Sequence, residues 1–216
     1  MPAPSLPQNV TLIEHPLARV KLARLRDERT PPREFRRNAQ ELAVLLAFAA
    51  TRDIETVLEK IRTPLMETEG AKLVRPIVVV PILRAGLGMS EAILPFLGDA
   101  AVGHIGMRRD EITHLPSPYY FNAPAQLAEA DVLVVDPMLA TGHSAADAIT
   151  KLKQEGAKRI RFICFLVSPE GIAHLTSQHP DIAIFTSAVD ERLNERAYIV
   201  PGLGDAGDRY FGTLPA

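Results

Sequence analysis

Val132-Leu133-Val134-Val135-Asp136-Pro137-Met138-Leu139-Ala140-Thr141-Gly142-His143-Ser144-Ala145 is the stretch on which the reading of this chain turns. Its first four residues are apolar and mostly β-branched, which predicts a strand buried on both faces. The strand stops at Asp136, where Pro137 blocks a further ladder bond. A short loop with Thr141, Gly142 and Ser144 follows. A helix is expected from about Ala145, with Ala145, Ala148, Ile149 and Leu152 on one face and Gly156 as its stop signal. Strand, acid, hydroxyl-bearing loop and helix start together make a cradle for an anion. The first helical N–H groups have no intrahelical partner, and the helix dipole is positive there. Thr141 and Ser144 add hydroxyl donors, and Asp136 can hold a metal or sugar hydroxyls. A phosphorylated sugar suits such a site. The competing reading is an ordinary strand-to-helix turn with Ser144 as a plain N-cap. Against it stands the position of Asp136 at the carboxyl end of an apolar strand, where open α/β sheets bind ligands.

Working outward, the same strand-and-helix alternation recurs on both sides. Ile77 to Val80 reads as another buried strand, leading through Pro81-Ile82-Leu83-Arg84-Ala85-Gly86-Leu87-Gly88 into a helix over Met89 to Phe96. Ala101 to Met107 is a further strand, ending in Arg108-Arg109-Asp110-Glu111. Ile112 to Pro118 reads as a mobile loop and Tyr119 to Phe121 as a short strand. Downstream come a strand over Arg161 to Val167, a helix from about Glu170 to Gln178 and a strand over Asp181 to Ser187. Two helices are expected before the sheet, His15 to Arg29 and Arg33 to Thr51, separated by Thr30-Pro31-Pro32. The second is apolar nearly all round in its later part, so it belongs in the core or at a subunit contact. Thr56 to Val74 is mixed, with β-like pieces near Thr63-Pro64 and a turn at Glu69-Gly70. The tail from Ala197 to Arg209 reads as a Gly-rich loop unit. The fold class is therefore α/β, a parallel sheet flanked by helices, in one domain over residues 1–216.

The bulk numbers narrow the function. A chain of 216 residues, 47% hydrophobic and 23% charged, is ordinary for a soluble globular protein. Eight basic residues fall between Arg19 and Arg37, but helical spacing, intervening acids and a net charge of −2 favour a solvated face over a nucleic-acid patch. The single Cys164 lies in an apolar run and reads as a core thiol; with one cysteine there is no internal disulfide, which suits the cytoplasm. The N-terminus has no secretory pattern, and the longest apolar run, Leu42 to Ala50, is too short to span a bilayer.

Motif by motif, other chemistries fall away. Gly202-Leu203-Gly204-Asp205-Ala206-Gly207 matches the dinucleotide fingerprint in letters only, since nine residues remain after it and leave no room for a βαβ unit. There is no Walker loop, no H-E-x-x-H, no paired cysteine ligands and no G-x-S-x-G elbow. What remains is three strand ends bearing polar groups: Arg84 with Gly86 and Gly88, Arg108-Arg109, and Asp136 with its loop. In one parallel sheet these converge, and two arginines facing a phosphate loop suit a polyanion.

Taken together, Val132 to Ala145, Pro81 to Gly88 and Tyr198-Ile199-Val200-Pro201-Gly202-Leu203-Gly204-Asp205-Ala206-Gly207-Asp208 resemble uracil phosphoribosyltransferase. The likeness extends to His15-Pro16-Leu17, Ala50-Thr51-Arg52-Asp53 and Pro169-Glu170-Gly171-Ile172. It implies a type I phosphoribosyltransferase-like fold with N-terminal helices and a C-terminal base-binding loop unit. It also implies transfer of ribose 5-phosphate from phosphoribosyl pyrophosphate (PRPP) to uracil, with Mg2+. Carried over, PRPP would be bound by Arg84, Arg109, Asp205 and the loop Asp136, Pro137, Met138, Leu139, Ala140, Thr141, Gly142, His143 and Ser144. Uracil would meet Tyr198, Ile199, Gly204, Asp205 and Ala206. Catalysis would fall to Asp136, Arg109 and Asp205, with magnesium held through the donor and Asp136 nearby. The resemblance further implies a cytoplasmic homodimer or homotetramer, open to activation by GTP, with no nucleic-acid or membrane partner. Two departures stand out: His143 where glycine is usual, a position where a left-handed backbone would suit histidine poorly, and Arg108 where an aromatic residue is common. An RNA-binding regulator built on the same fold, and a purine or orotate phosphoribosyltransferase, remain the alternatives.

Overall fold

Successive residues of a strand point to opposite faces, so a strand that is apolar throughout must be covered on both. Val132 and Val134 enter one hydrophobic layer while Leu133 and Val135 enter another, and all four are fully buried. The computed structural model describes residues 6–109 and 116–213, with the backbone alone at 108–109 and 116–118.

In chain order, β1 (Val10–Leu12) precedes two helices, α1 (Pro16–Arg26) and α2 (Pro32–Ala50). A hairpin of β2 (Thr56–Arg62) and β3 (Glu67–Leu73) follows, then β4 (Ile77–Leu83), α3 (Leu87–Leu97), β5 (Ala101–Val102), β6 (His104–Arg109) and β7 (Pro116–Asn122). After a 3-10 turn at Ala125–Ala128 come β8 (Asp131–Val135), β9 (Met138–Leu139), α4 (His143–Gln154), β10 (Arg159–Cys164), β11 (Leu166–Val167), α5 (Pro169–Gln178) and β12 (Ala183–Thr186). The chain closes through β13 (Arg192–Leu193), β14 (Ile199–Val200) and α6 (Ala206–Phe211).

The main sheet has eight strands in the order β1-β12-β10-β8-β4-β6-β7, with β5 beside β4. Every pairing in it is parallel except β6 with β7. Helices α4 and α5 contribute Ala145, Ile149, Leu152, Ile172 and Leu175 to the layer on one face; α1, α2 and α3 contribute Leu25, Leu42, Leu46, Met89 and Ile93 to the other. The parallel sheet flanked by helices is thus the architecture that the apolar runs imply. One face of the apolar part of α2 packs inside the chain, with Leu42, Ala43, Leu46, Ala47 and Ala50 fully buried, while Phe48 on the other face is 66% exposed. The end of α2 is tied down by Arg161 of β10, which donates to the Ala50 carbonyl and pairs with Asp53. Cys164 is buried, and that burial pushes its thiol pKa up, as befits a core residue. No helix among the described residues is long and apolar enough to cross a membrane.

Several local expectations need correction. The turn expected at Glu69-Gly70 is mid-strand: Gly70 pairs with Glu59, and the hairpin turns instead at Thr63 to Met66, where the Thr63 side chain accepts from the Leu65 and Met66 amides. The strand expected over Arg161 to Val167 is two strands, since Phe165 N–H leaves the main ladder to donate to Pro137 O and β11 pairs with β9 instead. The C-terminal unit is not all loop, because Asp205 caps the short helix α6 by accepting from the Asp208 amide at 2.8 Å. Ile112 to Leu115 lie outside the described residues.

Candidate active site

β4 and β8 run side by side with Pro81 opposite Val135, so the segments that follow them leave the sheet at one edge. From β4 the sheet grows one way through β6, and from β8 the other way through β10 and β12. The crevice between them is the reversal point at which parallel α/β sheets bind ligands.

Beyond β8, a polar cavity of about 160 Å³ is lined by Asp136, Met138 to Gly142, Ser144 and Ala145, with Ala197 from the C-terminal unit. Gly142 is the N-cap of α4, with φ of 82° and no side-chain cap bond. The helix starts at His143, two residues earlier than expected, so Ser144 lies inside its first turn and is not the cap. The left-handed backbone falls on Gly142 and not on His143, so histidine at 143 carries no backbone strain. Because Gly142 offers no side chain to cap the helix, the first amides of α4 face the cavity with their donors uncommitted to a cap, as an anion site requires. Neither Pro137 nor His143 lines the cavity. The His143 ring is exposed and stacks against His174 of α5 at 4.1 Å between centroids. Burial, aided by His143 and His179 and opposed by Asp147, holds the His174 pKa below its ordinary value.

Ser168, fully buried before α5, fastens the loop from behind. Its hydroxyl donates to Ala140 O at 2.6 Å and accepts from Gly171 N–H at 2.8 Å, so one side chain caps α5 and holds the cavity wall. The Asp136 carboxyl is pushed up to about 7, first by burial and further by Asp205, against the opposing Met138 N–H. Asp136 and Asp205, more than sixty residues apart in sequence, therefore face one another electrostatically.

The C-terminal unit is brought over the crevice by α6. Arg209, buried, stacks on the Phe35 ring at 4.4 Å and donates to Leu203 O at 2.8 Å, Asp27 O at 2.7 Å and Leu25 O. A second cavity of about 200 Å³ opens under this unit, lined by Met138, Ala140, Arg196, Ala197, Tyr198 and Ile199. It shares Met138, Ala140 and Ala197 with the first, so the two cavities adjoin. Tyr198 is half-exposed at its rim, Ile199 and Ala206 are buried, and Gly204 is exposed. Arg84 is exposed just past β4, its guanidinium 6.0 Å from the Phe211 ring of α6. The backbone of Arg109 ends β6; its side chain lies outside the described residues. Ser168, Arg196 and Ala197 were not anticipated. Asn194 was the available signal for the last two, because its side chain accepts from the Arg196 and Tyr198 amides and forces the turn between them.

A sequence model described as uracil phosphoribosyltransferase matches residues 12–213. The chain belongs to the uracil phosphoribosyltransferase family. A curated uracil phosphoribosyltransferase of Salinibacter ruber is 48% identical over 206 residues, covering 95% of this chain and 98% of that one. One from Clostridium perfringens is 51% identical over 205 residues, covering 94% and 98%. A solved structure of a protein from Aquifex aeolicus superposes with a TM-score of 0.91 at 33% identity, covering 96% of this chain and 100% of that one. Membership of the uracil phosphoribosyltransferase family makes the protein a pentosyl-transferring enzyme with the type I phosphoribosyltransferase fold.

Proposed function

We propose that the protein transfers ribose 5-phosphate from PRPP to uracil, releasing pyrophosphate and uridine monophosphate. The observation that carries this reading is the pair of adjoining cavities at the reversal point, one polar and backed by a helix N-terminus, the other under Tyr198 and Ile199. In this reading the turn from Thr141 to Ser144 receives the 5-phosphate, Asp136 the ribose hydroxyls, and Arg84 and Arg109 the pyrophosphate. Ile199, Gly204, Asp205 and Ala206 read the base through their backbone while Tyr198 covers it. The glycosidic C1–O bond to pyrophosphate breaks as C1 bonds to N1 of uracil, and the N1 proton is released. Charge rather than a protein nucleophile lowers the barrier: the sugar gains positive charge and the leaving group negative charge, which carboxylates and arginines respectively would meet.

Magnesium fits the residues present. Asp136 lines the polar cavity, where burial first and the negative charge of Asp205 further raise its carboxyl, so a cation there would meet carboxylate charge; among the described residues no cluster of three or more ligating side chains forms a full cage. Magnesium is often bound by one or two carboxylates plus substrate phosphates, and it would supply charge to the leaving pyrophosphate. The reading takes residues 1–216 as one phosphoribosyltransferase domain, cytoplasmic, a homodimer or homotetramer, and open to GTP activation.

The test is a base panel. Uracil offers a donor at N3 and an acceptor at O4, and cytosine reverses both. Fixed backbone groups should therefore accept uracil and 5-fluorouracil and reject cytosine by roughly four orders of magnitude. Comparable rates with cytosine would refute backbone readout of the base. Turnover only of hypoxanthine or orotate would overturn the function.

A further inference from the structure

Gly202 sits in the middle of the C-terminal unit, three residues after Ile199 and two before Gly204. Its backbone is left-handed, with φ of 61°, and a Cβ there would meet Ile199 O at 2.1 Å. A tight turn of this kind leaves the residue's own N–H and C=O without partners inside the turn. Both are taken by one ion pair from elsewhere in the chain. Gly202 N–H donates to Asp190 Oδ2 at 2.8 Å, and Arg26 Nη1 donates to Gly202 O at 2.7 Å. The pair is itself joined at two points, Arg26 Nη1 to Asp190 Oδ2 at 2.8 Å and Nη2 to Oδ1 at 2.5 Å. The Asp190 side chain is 4% exposed and that of Arg26 24%. Arg26 is the last residue of α1, whose Ala18, Leu22 and Leu25 are buried against the rest of the helical layer, so the guanidinium is fixed to the core. Asp190 follows Val189, which bridges to Val167, and its own N–H donates to Val167 O at 2.9 Å, so the carboxylate is fixed to the sheet.

We propose that Arg26 and Asp190 are positioning residues for the acceptor base, holding the Gly202 peptide groups so that the backbone of Ile199 and Gly204 presents its donors and acceptors in register. This rests on the reading that the segment from Tyr198 to Ala206 receives uracil. Neither residue lines the cavity under Tyr198, so each acts through Gly202. A planar fork is what the geometry uses: one guanidinium nitrogen serves both the carboxylate and the carbonyl while the other closes the pair. Lysine has one nitrogen at the end of a flexible stem and cannot hold the same three contacts in one plane. The phosphate loop is fastened by other groups, Ser168 among them, so losing the clamp should disturb base binding far more than donor binding.

The experiment is steady-state kinetics with uracil and PRPP varied in turn, on the wild type, Arg26→Gln, Arg26→Lys and Asp190→Asn, with thermal melts to confirm folding. A misplacement of about 1 Å costs on the order of a hundredfold. We expect the KM for uracil to rise roughly ten- to a hundredfold in Arg26→Gln and Asp190→Asn, and less in Arg26→Lys, while the KM for PRPP stays within about threefold. Arg26→Lys keeps the charge beside Asp190 and decides the matter if the other two do not fold. An unchanged uracil KM, or uracil and PRPP KM values rising in parallel, would overturn the positioning role and leave the proposed function standing. A wild type that does not use uracil would overturn both.

Discussion

Replacing Asp136 with asparagine should make the protein both more stable and nearly inert. The carboxyl is raised from 3.8 to about 7 in the folded chain, chiefly by burial. An acid raised in this way binds its proton more tightly folded than unfolded, so its contribution to stability falls as pH rises. Below about pH 3 both states are largely protonated and nothing is lost. Between there and about pH 7 only the unfolded chain ionises, and above that the loss is complete. An interval of about 3 pH units at 1.36 kcal/mol each is at most about 4 kcal/mol. The neutral amide escapes this loss. Its advantage over the parent should grow from near zero below about pH 3 to a plateau of at most about 4 kcal/mol above about pH 7, read by urea denaturation at several pH values. Turnover should fall by roughly a hundredfold or more, because the amide keeps the shape and loses the charge. A stability gain that is the same at every pH, or a net destabilisation at pH 8, would refute the argument that Asp136 is held in a carboxyl-raising site. Near-normal turnover would remove it from the chemistry.

His143→Gly should leave the PRPP KM within about twofold and cost roughly 0.5–1 kcal/mol of stability, since the imidazole points at His174 and glycine weakens a helix. A higher PRPP KM, largest below about pH 6.5, would instead place the imidazole on the phosphate. Ser168→Ala should cost about 1–2 kcal/mol and raise the PRPP KM, because it uncaps α5 and releases the Ala140 carbonyl together; unchanged melts and kinetics would show that the loop needs no such fastening. Leu46→Glu should yield insoluble or unfolded protein, an unpaired buried charge being worth several kcal/mol, and a soluble, fully active variant would contradict the packing of α2.

The sheet was legible because its central strands are apolar on both faces: Ile77 to Val80 and Val132 to Val135 carry their burial in their composition. The polar cavity after β8 was legible because acid, glycine and hydroxyls crowd into a few residues after such a strand. What could not be read has a different origin. β1 is three residues long, too short for any period, and exists because its Val10 and Leu12 pair with Ile184 and Thr186. The β2–β3 hairpin shows no alternation because both of its faces are exposed, so nothing selects one side. Ser168 and the clamp from Arg26 to Asp190 are ordinary residues in sequence. Their roles come from neighbours 28 and 164 positions away, a relation that only folding creates.

Arg209 has a consequence for how the protein comes into being. The carbonyls it caps belong to Leu25 and Asp27, made 184 and 182 residues earlier. At ribosomal rates of about 5–20 residues per second, the first helix waits roughly 10–40 s for the group that completes its end. During that interval the nascent chain has the turn from Thr141 to Ser144 and much of its sheet, but not the C-terminal segment that closes over the crevice. A message truncated just before codon 209 would therefore yield a protein with nearly all its mass but without the side chain that ties Leu203 to Leu25 and Asp27, and with the end of its oldest helix left for chaperones to find.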